Sequence, residues 1–193
     1  MLSEGFCNQL FLWAVYDDKR NLIQEPWVNE VVSITYQYKT RGKHLDVEFL
    51  TLKKLPPEGT TEVQAFGWDP RKNWGLWEKE VVEVFFQPDG RGTYYEWQLS
   101  PQGQAFCLDV HQPRQITSCP VMPRYHHYSQ LQQRQDTITW YARFSLLSDE
   151  SLNQGKIGFY ASLSWGKFHF YFSHHQPPEF PPDFHRPDLF NAI

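Results

Sequence analysis

Trp68, Trp74 and Trp77 stand within ten positions of one another, just ahead of Glu78, Glu80 and Glu83. A short way on come Tyr94, Tyr95, Glu96 and Trp97. An indole is a flat platform for the C–H face of a sugar ring, and carboxylates beside it accept hydrogen bonds from the hydroxyls. The same residues also serve as a tryptophan-rich sandwich core bordered by solvated acids. Strand parity bears on the choice: it puts Glu83 on the face of Val81 and Phe85, and Glu96 opposite Tyr95 and Trp97. A carboxylate among apolar neighbours needs hydrogen-bond partners or a cleft, so one of Glu80 and Glu83 is expected to point into a pocket. Acids on neighbouring strands also reach the spacing of a glycosidase pair. Nothing else marks a hydrolase: the chain has no nucleophile elbow, phosphate loop or metalloprotease helix.

His126, His127, His169, His174, His175 and His185 crowd the second half of the chain. Adjacent histidines on a strand point to opposite faces, so neither doublet chelates a metal by itself. No cofactor is expected. A structural calcium held by loop acids such as Asp69, Asp89 and Asp109 is the one alternative, although no loop has calcium-type spacing. Cys7, Cys107 and Cys119 are odd in number and widely separated, which argues against a disulfide framework or a zinc site.

The elements that must position these residues read as strands. Glu30 to Tyr38 and Leu45 to Thr51 alternate, with Lys39 to Lys43 as a hairpin loop between them. Glu80 to Gln87 (EVVEVFFQ) is the densest β run, and Pro88 to Gly92 turns it into Thr93 to Leu99. After the turn Ser100-Pro101-Gln102-Gly103 come strands over Gln104 to Val110, Ile138 to Phe144 and Lys156 to Ser164. Ser148, Asp149, Glu150 and Gly155 mark a short helix over 148–154. Five prolines from Pro177 to Pro187 predict an extended, irregular tail. Phe180, Phe184, Leu189 and Phe190 are expected to pin it. The fold expected is an all-β antiparallel sandwich, jelly-roll or immunoglobulin-like, forming one domain over 1–193.

Composition narrows the function classes. The 193 residues carry a net charge of −4, which speaks against a nucleic-acid binder. No apolar run approaches the roughly 20 residues of a membrane span, and no signal-peptide pattern opens the chain, so a cytoplasmic location is expected. Aromatic residues make up 17% of the chain while mean hydropathy is −0.60. Rings interleaved with polar residues suit a half-buried sheet.

Gly75 to Gly90 (GLWEKEVVEVFFQPDG) and Tyr94 to Phe106 (YYEWQLSPQGQAF) resemble the DOMON-like β-sandwich family, in the branch related to family 9 carbohydrate-binding modules. Trp77, Glu80 and Glu83 fill one family pattern, and Tyr95, Glu96, Trp97, Ser100, Pro101 and Gly103 fill the next. Pro181 to Phe190 is similar to the closing segment of bacterial stand-alone members. The resemblance implies a non-catalytic module that binds a saccharide or other small ligand. Trp77 would stack on a terminal sugar and Glu83 would grip its hydroxyls. Trp74, Glu78, Glu80, Glu96 and Trp97 would form the supporting wall. Glu96 stands where the modules can have an arginine, and Trp13 and Trp27 are candidates for their second sandwiching ring. A structural or interaction protein that meets a partner chain or an unidentified small ligand is the second reading, and a glycoside hydrolase-associated activity the third.

Overall fold

A computed structural model describes residues 8–55, 76, 80–112, 115–118, 124–147, 154–176, 179 and 181–193. In chain order the elements are β1 (Asn8–Gln9), β2 (Phe11–Tyr16), the single-turn helix α1 (Val28–Val31), β3 (Val32–Arg41), β4 (His44–Lys54) and β5 (Val81–Pro88). They continue with β6 (Tyr94–Leu99), β7 (Ala105–Gln112), β8 (Gln115–Ser118), β9 (Arg124–Arg134), β10 (Thr137–Leu147), β11 (Gly155–Trp165), β12 (Phe168–Ser173) and β13 (Asn191–Ala192). One sheet has the order β1-β3-β4-β10-β9; the other runs β2-β12-β11-β5-β6-β7-β8, with β13 added beside β11. Neighbouring strands in both are antiparallel. The expected all-β sandwich is the fold observed.

Alternation builds the core between the sheets. Ile34 and Tyr36 on β3, Val47 and Phe49 on β4, and Ala142 and Phe144 on β10 meet Val82, Val84 and Phe86 on β5 and Phe159 on β11. Phe159 sits at the centre, its ring 4.6 Å from that of Tyr36 and 6.2 Å from that of Phe49. The turn Ser100–Gly103 is tied to the opposite sheet through β9. Ser129 Oγ lies 3.0 and 2.9 Å from the carbonyls of Ser100 and Pro101 and accepts the Trp140 indole N–H at 2.9 Å.

The second sheet is buried on its outer face as well. Val81, Phe85, Tyr94, Phe106, Leu108, Val110 and Tyr160 form a separate cluster there, covered by Phe190 with Phe184 and Trp13 at its margin. Phe190 arrives after a 3-10 turn at Pro187–Leu189, and the chain then pairs as β13 with Lys156 and Ile157 of β11. The expected pinning of the tail by Phe184 and Phe190 is therefore seen, with a short ladder in addition; Phe180 lies outside the described residues.

Some expectations are corrected. The helix expected over 148–154 falls, but for Gln154, outside the described residues. The helix that is described, α1, occupies Val28–Val31, where a strand was expected to begin at Glu30. The loop expected over Lys39 to Lys43 shrinks to Gly42 and Lys43, because β3 and β4 pair as far as Arg41 and His44. Gly42 makes the tight turn possible, its φ of +61 being one that side-chain-bearing residues rarely adopt.

At Gly158 a Cβ would stand 2.8 Å from Phe190 Cδ1 and 2.9 Å from Tyr160 Cε2, so only glycine lets the tail seat. Gly158→Ala should cost about 1–3 kcal/mol by overpacking, and Phe190→Ala about 3–5 kcal/mol by emptying the cover. In urea denaturation the double variant should lose clearly less than the sum of the two, and strict additivity would refute the contact.

Candidate functional site

The outer face of the second sheet brings together polar side chains from three strands. Tyr160 on β11 is directly opposite Glu83 on β5, and Glu83 is directly opposite Gln98 on β6. Such neighbours have Cβ atoms about 4.5–5.5 Å apart. Glu96 shares the face because it lies two residues before Gln98 and opposite Phe85. Relative exposure is 2% for Glu83, 2% for Glu96 and 0% for Gln98.

The four groups do not satisfy one another. The Gln98 amide donates to Glu96 Oε1. Among the described residues, Glu83 Oε2, Glu96 Oε2, Gln98 Oε1 and the Tyr160 hydroxyl are buried without a hydrogen-bond partner. Orphaned polar atoms of this kind each cost about 1–3 kcal/mol, so a cluster of them calls for an explanation.

Above them runs the segment between Pro181 and Phe190. His185 Nδ1 is 2.6 Å from the Tyr94 hydroxyl and 3.7 Å from Glu96 Oε2. The Phe184 ring stacks on Tyr160 with centroids 4.6 Å apart and an interplanar angle of 29°. Trp13 closes the margin, 5.9 Å from Phe184 and 5.5 Å from His175. Its placement comes from an irregularity in β2: Ala14 pairs with Tyr171 and Leu12 with Phe172, which leaves Trp13 as the extra residue of a bulge. Bulges re-aim side chains in this way, often beside functional sites. Trp27, the other candidate for a second ring, packs instead against Trp165 and Phe168, with the inter-sheet core.

Burial dominates the electrostatics. Glu83 is held well above the ordinary carboxylate range, first by desolvation and then by the charge of Glu96. Desolvation pushes Glu96 up to about 7, opposed by its hydrogen bond from Gln98. The Tyr94 and Tyr160 hydroxyls are raised by burial and then by neighbouring carboxylates. His174 is lowered to about 4 by burial and then by His175, and its Nδ1 lies 3.1 Å from the Phe159 amide. The face therefore holds carboxyl protons at a pH where exposed carboxyls have lost theirs.

The expected site residues divide. Glu83 and Glu96 come together, while Trp74, Trp77 and Glu78 lie outside the described residues. Trp97 was expected in the supporting wall; it is 2% exposed in the inter-sheet core, separated from the two acids by the thickness of the sheet. Its odd position in the alternation is the physical reason. Glu80 was expected in the same wall; it instead receives the Lys53 ammonium at 2.5 Å and the Ser164 amide at 2.9 Å, while Lys53 also donates to the Ser164 carbonyl at 3.0 Å. That closed network joins the two sheets and leaves Glu80 Oε1 committed.

Sequence reasoning missed Gln98, Tyr160 and the role of His185. Parity with Glu96 could have found Gln98; Tyr160 and His185 become neighbours only through distant pairing. Of the loop acids considered for calcium, Asp69 is outside the described residues, and Asp109 has His111 at 3.6 Å. Among the described residues no three His, Cys, Asp or Glu side chains gather as a metal site, and no helix is long and apolar enough to cross a membrane.

The class these features define is an antiparallel β-sandwich with a covered polar cluster on the outer face of one sheet. No family model matches the chain, and no curated protein matches it. Among solved structures it is similar to that of "a putative carbohydrate-binding protein" from Bacteroides uniformis, with a TM-score of 0.56 and 14% identity. The similarity covers 95% of this chain and 85% of that one. At that identity the likeness is one of fold.

The acid pair makes a pH prediction. The folded protein binds protons at Glu83 and Glu96 that the unfolded chain releases from about 4.5 upward, so the pair's contribution falls as pH rises toward about 7. His174 works the other way, losing stability as pH falls from 6.5 towards about 4. Comparison with a variant that keeps His174 separates the two. Relative to wild type, Glu96→Gln should gain about 2–3 kcal/mol between about pH 5 and about pH 8 in denaturant titrations. An equal pH slope in both proteins would contradict the placement of Glu96.

Proposed function

We propose that this chain is a non-catalytic carbohydrate-binding module whose saccharide sits on the outer face of the second sheet. The observation that carries the reading is the set of buried, unpartnered polar atoms on Glu83, Glu96, Gln98 and Tyr160. Sugar hydroxyls both donate and accept, and they are the complement of such a set. Trp13, at the margin of the same cluster, offers an apolar face for the sugar's C–H groups.

Two further lines support it. The resemblance of the Trp77-to-Glu83 and Tyr95-to-Gly103 segments to the family 9 carbohydrate-binding modules assigns the stacking ring to Trp77 and the polar grip to Glu83. The Bacteroides uniformis protein of similar fold is "a putative carbohydrate-binding protein". In this reading Glu83 and Glu96 are the polar floor and Trp13 and Trp77 the rings. Trp97 and Glu80 are structural. Binding requires the segment bearing Phe184 and His185 to lift from the face, since the floor is buried beneath it.

A glycan array followed by calorimetric titration tests the proposal. Wild type should bind at least one class of mono- or oligosaccharide, and Trp13→Ala, Trp77→Ala and Glu83→Gln should each weaken that binding at least about tenfold, or 1.4 kcal/mol. Undiminished affinity in all three variants would remove the site from this face.

A further inference from the structure

The orphaned atoms specify the ligand more closely, in an inference that rests on the saccharide reading. Glu83 Oε2, Glu96 Oε2 and Gln98 Oε1 are acceptors when the carboxyls are ionised, and only the Tyr160 hydroxyl adds a donor. The Gln98 amide is already engaged by Glu96. Once both carboxyls are ionised, the cluster therefore offers more acceptors than donors.

It also lacks positive charge. Among the described residues the one basic side chain within ion-pair reach of either carboxylate is His185, 3.7 Å from Glu96 and held 2.6 Å from the Tyr94 hydroxyl. Lys53 is engaged by Glu80. Arg186 forms a two-bond fork with Asp188 at 2.8 and 2.6 Å. A neutral hydroxyl brings one donor and no charge. A primary ammonium brings three donors and a full positive charge on one small atom.

We infer that the module selects an amino sugar, its ammonium seated between Glu83 and Glu96 with Gln98 Oε1 as third acceptor, and that His185 holds this place in the free protein. Tyr94 on β6 and Tyr160 on β11 flank the acid pair, His185 of the covering segment lies 3.7 Å from Glu96, and Asp183, Arg186 and Asp188 of that segment act electrostatically on the two tyrosines. The tyrosines are neutral, so ionisation of the two carboxyls governs capture of the ammonium. Binding displaces the carboxyl protons, and affinity rises with pH as it does so.

The test is calorimetric titration of the full chain with glucosamine, N-acetylglucosamine and glucose at about pH 7.5 and about pH 5.5. Glucosamine should bind at least about tenfold more tightly than either neutral sugar at the higher pH. The preference should shrink at the lower pH and in Glu83→Gln and Glu96→Gln. Equal binding of glucose and glucosamine by wild type would overturn the amino-sugar inference and leave the module reading standing. Binding of no sugar would overturn both. Calcium chloride giving the binding heat while glucosamine gives none would also overturn the inference, assigning the acid pair to a metal. The comparison among ligands on wild type decides the question even if a variant fails to fold.

Discussion

The second sheet has to be dry on both faces. Antiparallel sheets commonly leave one face in water, and their strands then alternate cleanly. β5 does not: of its eight residues only Gln87 escapes full burial. The sandwich partner covers one side. The other needs its own cover, and the chain supplies it by folding residues 181–193 back over β11, β5 and β6. Phe190 inserts among Phe85, Tyr94 and Tyr160, and β13 fastens the segment to β11. Without that cover a contiguous apolar cluster would face solvent.

Acids placed on such a face have two fates, and the protein shows both. Glu80 finds Lys53 and the Ser164 amide, a satisfied network that locks the two sheets together. Among the described residues Glu96 has the Gln98 amide and, at 3.7 Å, His185, while Glu83 Oε2 has no hydrogen-bond partner, and burial raises both carboxyls. A structural role would be better served by apolar residues of similar volume, which carry no desolvation penalty. Perturbed, incompletely paired carboxyls cluster at functional sites, and this pair is the floor of the proposed ligand site.

Local alternation made much of the sandwich legible. The β3–β4 and β5–β6 hairpins follow from Val32, Ile34, Tyr36 and Val47, Phe49, and from the EVVEVFFQ run with its Asp-Gly turn. β9 was invisible because Arg124 to Arg134 is dominated by His, Gln and Arg, without an apolar stripe. β2 and β12 were passed over, although Phe168, Phe170 and Phe172 alternate with His169, Tyr171 and Ser173. At the site, parity correctly put Glu83 with Phe85 and Glu96 across from Trp97, so Trp97 and Glu96 could not share one wall. Tyr160 and His185 were beyond reach, because their neighbourhood depends on which strands pair and where the tail lands. The bulge at Trp13 had no signature in a single chain.

The closing segment also bears on how the molecule comes into being. Ribosomal synthesis delivers β2 early and β12 late, yet these two strands are partners. β5 acquires its second neighbour, β11, only after β6 to β10 have been made. The outer face cannot be sealed until Phe190 has left the exit tunnel. Through most of translation, then, one edge of the sticky EVVEVFFQ segment stays unpaired, the kind of stretch that aggregates or recruits chaperones. Such distant pairing predicts slow folding.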